Sequence, residues 1–131
     1  MRILIVEDDP ISRKLFYGIL KNIGDCMLAG DGLEALHKFR TAHFEKKQYT
    51  VVLLDIMLPK IDGLTVLKKI RSIEKELRLE DSRRAKIIVL TAKVEKEVEK
   101  SAYDYGCDFF LRKPVSGKIL MENVERLVGE H

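Results

Sequence analysis

Three short, uninterrupted apolar runs constrain this chain more than any other feature: Ile3-Leu4-Ile5-Val6, Val51-Val52-Leu53-Leu54 and Ile87-Ile88-Val89-Leu90. All are rich in β-branched residues and none shows the polar alternation of a half-exposed strand. Such runs read as strands covered on both faces, as in a parallel sheet lying between helices. Cys26 to Ala29 and Asp108 to Leu111 are weaker candidates for two further strands. Longer amphipathic stretches separate these segments, so strand-like and helix-like stretches alternate five times.

The helical stretches carry their own end signals. Pro10 suits a first helical position after Asp9, and Ile11, Leu15, Ile19 and Ile23 then recur every four residues. Asp31 and Glu34 have capping-box spacing ahead of Leu33, Leu36 and Phe39. Asp62-Gly63 opens a third helix carrying Leu64, Leu67, Ile70 and Leu77. Val94, Val98, Ala102 and Tyr105 line one face of a fourth, which Gly106 can end in the left-handed conformation. Ser116 can cap a fifth containing Leu120, Val124 and Leu127. A (βα)5 order with no room for a hairpin implies an α/β fold with an open, doubly wound sheet. Such sheets bind ligands outside the carboxyl ends of their strands.

Those strand ends carry the chemistry. The first strand runs into Glu7-Asp8-Asp9, the third into Asp55, the fourth into Thr91-Ala92 and the fifth into Arg112-Lys113-Pro114. Carboxylates, a hydroxyl and an ammonium are therefore expected on one edge. Crowded carboxylates repel each other, and a hard divalent cation offsets that repulsion. Mg²⁺ suits the set, because it takes a few carboxylates and keeps water and phosphate oxygens as its other ligands. An ionised Asp55 beside such an ion is already a nucleophile toward phosphorus, with Thr91 and Lys113 placed to bind the transferred oxygens.

Size and composition narrow the alternatives. At 131 residues the chain fits a single domain over 1–131, with no repeat or Pro/Gly-rich linker. No stretch reaches the ~18 apolar residues of a membrane span. The N-terminus turns acidic too early for a signal peptide, so a cytoplasmic location is expected. Net charge is +3, and the densest basic run, Arg83-Arg84-Ala85-Lys86, has no interleaved aromatics to stack bases. Direct nucleic-acid binding is not expected. Cys26 and Cys107 read as buried, reduced thiols, and His37 and His43 as surface residues.

The sequence resembles the receiver domains of two-component response regulators. The motifs LIVEDDP, VLLDIMLPKIDG, IIVLTA and GCDFFLRKP stand in the family's order across residues 2 to 116. The resemblance implies a flavodoxin-like five-stranded parallel sheet in the order 2-1-3-4-5, with helices on both faces. It assigns Asp55 as phosphoacceptor, Asp8 as direct Mg²⁺ ligand, Glu7 as a ligand through water, and the Met57 backbone carbonyl as a further ligand. Mn²⁺ is expected to substitute. Thr91 and Lys113 match the hydroxyl and ammonium that meet the phosphoryl group, Lys113-Pro114 a cis peptide, and Phe110 the switch aromatic, although an aromatic in a short strand reads equally well as core. In the family's scheme Thr91 moves toward the phosphoryl group and Phe110 turns inward behind it.

The implied function is a phosphoacceptor switch in a two-component phosphorelay rather than an enzyme, apart from chemistry on its own phosphoryl group. The implied partners are a histidine kinase or histidine phosphotransfer protein, and a downstream output protein or domain. Dimerisation on phosphorylation stays open. The alternative is a receiver-like interaction module that is never phosphorylated. A dehalogenase-type phosphatase would need a second Asp where Met57 stands, and a flavin carrier would not place Glu7-Asp8-Asp9 against a phosphate. Two departures from polar relatives concern the phosphoryl lifetime: Met57 has no donor to orient water, and Lys93 is placed to shield the phosphate. Residues 71 to 86 are longer and more charged than a minimal connection requires, and are expected to lie away from the phosphorylation edge.

Overall fold

Five strands, β1 (Arg2–Val6), β2 (Asp25–Ala29), β3 (Val51–Leu54), β4 (Lys86–Thr91) and β5 (Phe109–Arg112), pair in parallel in the spatial order β2-β1-β3-β4-β5. The computed structural model describes residues 1–92 and 95–129 of the chain. Five helices connect and follow the strands: α1 (Pro10–Leu20), α2 (Gly32–Phe44), α3 (Gly63–Glu76), α4 (Lys96–Asp104) and α5 (Gly117–Gly129). This is the doubly wound architecture and strand order that the sequence implied.

Strand alternation divides the core in two. Leu4, Val6, Val52, Leu54, Ile87 and Val89 face Phe39, Val66, Leu67, Ile70 and Ala102 from α2, α3 and α4. Ile3, Ile5, Val51, Leu53, Ile88 and Leu90 face Phe16, Leu20, Leu120, Val124 and Leu127 from α1 and α5. The central strands are buried on both sides, which is why their sequences are continuously apolar. At ~1.5–3 kcal/mol for each fully buried aliphatic side chain, these positions dominate the folding free energy. β2 and β5 form the sheet edges, and their mixed burial explains their weaker sequence signal.

The helix caps follow the sequence closely. Asp9, Asp31 and Asp62 accept the backbone N–H groups of Ser12, Glu34 and Thr65 at 3.1, 2.8 and 3.1 Å. The Ser116 hydroxyl accepts from Ile119 at 3.2 Å, and Gly106 ends α4 with φ of 105°. The capping box at Asp31 is only half made, because Glu34 pairs with Lys38 at 3.1 Å instead of returning to the cap.

Several expected core positions are exposed. Ile11 and Leu15 are 79% and 57% accessible, while Phe16 and Leu20 are the buried residues of α1. A four-residue repeat advances by roughly 40° per step on a helix of 3.6 residues per turn, so the row starts on the exposed side and reaches the core only at Ile19 and Ile23. Leu33 is also exposed, and Leu77 and Tyr105, both exposed, are the C-caps of α3 and α4. Val94 lies outside the described residues. His43 is not a free surface residue: its ring stands edge-on to Phe39 at 4.9 Å. Both its ring nitrogens are buried without a partner among the described residues, and burial lowers its pKa. Cys107 is buried and Cys26 half-buried, and both are free thiols.

The segment after Arg71 lies at the opposite end of the sheet from Asp55 and has a structural role. The Arg71 guanidinium donates to Gly106 O at 2.9 Å, Ala85 O at 2.9 Å, Glu74 at 2.7 Å and Asp108 at 2.9 Å. Glu74, 1% exposed, accepts the Ala85 N–H at 2.7 Å, and Asp108 accepts the Ile87 N–H at 2.8 Å. Asp108 thereby joins the starts of β4 and β5 to α3.

Candidate functional site

The sheet itself positions the candidate groups. Glu7 follows β1, Asp55 follows β3 and Lys113 follows β5, while Thr91 is the last residue of β4. The ladder continues one residue past the strands: Glu7 N–H donates to Ala29 O at 3.0 Å, Asp55 N–H to Val6 O at 3.0 Å, and Lys113 N–H to Thr91 O at 2.9 Å. The side chains therefore leave from fixed backbone. α3 approaches so closely that a Cβ on Gly63 would collide with the Asp55 carbonyl and the Ile56 backbone. The Gly63 N–H donates to Ile56 O at 2.8 Å, which ties the start of α3 to the segment after Asp55. Arg13 reaches back from α1 to donate to the Glu7 carbonyl at 3.1 Å.

One ammonium links the acids. Lys113 Nζ lies 2.9 Å from Asp55 Oδ2 and 2.5 Å from Glu7 Oε1. Asp55 Oδ1 accepts the Met57 N–H at 2.9 Å, so each carboxylate oxygen has one donor and retains a lone-pair direction. Glu7 and Asp55 are buried, Asp8 is exposed, and Lys113 also lies 5.8 Å from the Phe16 ring centroid. Burial pushes the Glu7 carboxyl from 4.5 up to about 7; the Lys113 hydrogen bond opposes the rise and repulsion from Asp55 adds to it. Burial acts to lower the Lys113 ammonium, but its bonds to Glu7 and Asp55 prevail and its pKa is raised.

One oxygen each from Glu7, Asp8 and Asp55 lies within 4.8 Å of the others. Three hard anionic oxygens in one place, with a single ammonium among them, match a small divalent cation better than any soft metal. Asp8 is the exposed member, so the cluster opens to solvent on its side. The geometry thus brings Glu7, Asp8, Asp55 and Lys113 together as the sequence implied, and Thr91 is buried at the adjoining strand end, its carbonyl bonded to the Lys113 N–H. Lys113-Pro114 is cis. Lys93 lies outside the described residues. Met57 is 53% exposed beside the cluster.

Phe110 has its ring in the core, 8% exposed, on the sheet face that carries Val89 and packs against Ala102 of α4, which is the core reading the sequence offered beside the switch role. Sequence reasoning missed Arg13 and Phe16, which brace the Glu7 loop and the Lys113 ammonium. Their spacing on α1 carries the only signal: an aromatic and a guanidinium three residues apart, just after an acidic strand end.

The sequence profile of the response regulator receiver domain matches residues 3–125. The polar-differentiation response regulator DivK of Brucella ovis is 30% identical over 98% of this chain and 96% of its own length. The hybrid signal transduction histidine kinase L of Dictyostelium discoideum is 32% identical over 95% of this chain, which spans only 7% of that kinase. Among solved structures, the receiver domain of a Pseudomonas aeruginosa sensor histidine kinase superposes with a TM-score of 0.78 at 28% identity, covering 98% of both chains, and holds a magnesium ion in its active site cleft. Profile, relatives and fold agree with an acidic cluster closed by a lysine at the strand ends, and the chain belongs to the response regulator receiver domain family.

Proposed function

We propose that Asp55 is the phosphoacceptor of a two-component signalling switch, and that Asp8, Asp55 and the Met57 carbonyl hold Mg²⁺, with Glu7 acting through water. The observation that carries this reading is the Lys113 ammonium bonded to both Asp55 and Glu7, with Asp8 within one cation's reach. Mn²⁺ has the same hard-ligand preference and would substitute. When bound, the ion would neutralise charge on the transferring phosphoryl group.

The step needs no separate base. An Asp55 oxygen forms a bond to phosphorus as the donor's P–N bond, in a phosphohistidine, or P–O bond, in an acyl phosphate, breaks. The leaving imidazole or carboxylate keeps the electron pair. Lys113 turns from the Asp55 carboxylate to a phosphoryl oxygen, and the Thr91 hydroxyl supplies a second donor. The donor protein is a histidine kinase or a histidine phosphotransfer protein, and the setting is the cytoplasm.

Modification adds about −1.5 to −2 charge at Asp55. Thr91, at the end of β4, moves toward it. Phe110, packed on the same sheet face, keeps its ring buried while the α4–β5–α5 surface shifts toward the arrangement an output protein or domain reads. A second phosphorylated copy is a further candidate partner for that face.

Incubation with acetyl phosphate and Mg²⁺, followed by intact mass, tests the proposal. Wild type should gain one phosphoryl group, and Asp55→Asn should gain none. No gain in the wild type would favour an interaction module that works without phosphorylation.

A further inference from the structure

We propose that the Tyr103 hydroxyl restrains the switch: it holds α4 against the open edge of β5 through the backbone N–H of Phe110 and opposes displacement of α4. β5 is the last strand of the sheet and has β4 on one side only. Lys113 N–H faces β4, where it donates to Thr91 O at 2.9 Å. At the entry to β5 the Asp108 N–H also donates to β4, to Ile87 O at 2.8 Å. Between these two bonds the Phe110 N–H instead donates to the Tyr103 hydroxyl oxygen at 3.2 Å.

α4 is otherwise lightly held. Within the helix only Ala102 is buried, with Val98 partly buried against the same cluster, whereas α3 buries Val66, Leu67, Ile70 and Ile73. A helix with so little buried apolar surface is easily displaced, and a single directional bond then weighs heavily in its position. A second link, Arg112 to Glu99 at 3.3 Å, joins two well-exposed groups. Solvent screening makes it the weaker restraint.

The restraint acts at the switch itself. Phe110 pairs in register with Val89, two residues before Thr91 on β4, and Thr91 pairs with Arg112. The Tyr103 bond belongs to the arrangement in which Lys113 is bonded to the Asp55 carboxylate. On the proposed function, modification of Asp55 draws Thr91 toward it and slides α4 along β5. The bond is then lengthened and lost. Removing it favours the displaced arrangement, and by linkage it strengthens whatever binds that arrangement.

Tyr103→Phe keeps the ring and its packing and removes only the hydroxyl. Two measurements follow, on the wild type, on this variant and on Arg112→Gln. Hydrogen exchange at the Phe110 amide should quicken about fivefold in Tyr103→Phe, the ratio that one modest hydrogen bond corresponds to. Affinity for beryllofluoride with Mg²⁺, a phosphoryl mimic, should tighten by about the same factor, and Arg112→Gln should change it by less than about twofold. Unchanged exchange, or an affinity that is unchanged or weaker, overturns the restraint. A wild type that fails to bind beryllofluoride at all overturns the receiver reading, and with it the restraint's regulatory role. The exchange rates report on the bond separately.

Discussion

The Lys113 ammonium meets the Asp55 carboxylate at 2.9 Å, joining residues 58 positions apart in the chain. The contact exists because β3 and β5 end on the same edge of the sheet, with β4 between them. The same ammonium bonds Glu7, so a single cation keeps two buried acids together. Whatever takes its place must offset their mutual repulsion.

Lys113→Met should therefore act on both stability and chemistry. Leaving Glu7 and Asp55 without their cation should cost about 1–3 kcal/mol, less than for a fully buried pair because Lys113 is partly exposed. Phosphorylation by acetyl phosphate should fall by on the order of a hundredfold, as when a transition-state donor is removed. Urea unfolding and the rate of mass gain measure the two. Labelling at the wild-type rate would remove Lys113 from the proposed chemistry.

The Glu7 carboxyl makes the protein pH-dependent. Its pKa is about 7 in the fold against 4.5 for an ordinary glutamate, with burial as the main cause. Between these values the folded state binds more protons than the unfolded chain, so Glu7 makes the fold less stable as pH rises through that window. Lys113 stays charged throughout it, since its own pKa is raised. On the proposed function the ionised Glu7 is the form that supports a divalent cation, so Mg²⁺ should bind more tightly at about pH 7.5 than at about pH 5.5 and offset the lost stability there. Unfolding midpoints with and without Mg²⁺ read both effects, and Glu7→Gln should flatten them. A variant with the full wild-type pH slope would rule Glu7 out as the source.

Met57 stands half-exposed beside the cluster and cannot orient water. Met57→Asn introduces a donor and an acceptor at that position. The phosphorylated variant should lose its phosphoryl group about tenfold faster, as expected when an attacking water is better positioned. Decay of the phosphorylated mass peak after donor removal gives the rate. Equal lifetimes would count against a role for Met57 in protecting the acyl phosphate.

Glu74 offers a control far from the chemistry. Glu74→Ala would strip one partner from Arg71 and leave the Ala85 N–H unpaired inside the protein. The loss should be about 3 kcal/mol in urea unfolding, the usual size for breaking a buried charged pair from one side. The phosphorylation rate of the folded fraction should stay within about twofold, because the network lies at the opposite end of the sheet. A strong kinetic effect would reveal coupling through α3 from Arg71 to Gly63.

Much of this protein is determined by short-range pattern. The apolar runs specify β1, β3 and β4 because both faces of each strand need covering. Asp9, Asp31, Asp62 and Gly106 mark helix ends because capping involves residues no more than a few positions apart. The cluster was legible for a related reason: Glu7, Asp55, Thr91 and Lys113 each sit at or just after the end of a recognisable strand, and a parallel sheet brings those ends together.

Tertiary structure alone decided the rest. Periodicity does not say which side of α1 turns to the sheet, and so Ile11 and Leu15 lie outside while Phe16 lies within. Arg71 finds Asp108 across 37 residues, Phe110 is already buried, and its N–H meets Tyr103 across a strand-free edge. Such contacts depend on where whole elements come to rest against one another. Local sequence carries the propensity of each element, but their placement is set by the shared burial of surfaces far apart along the chain.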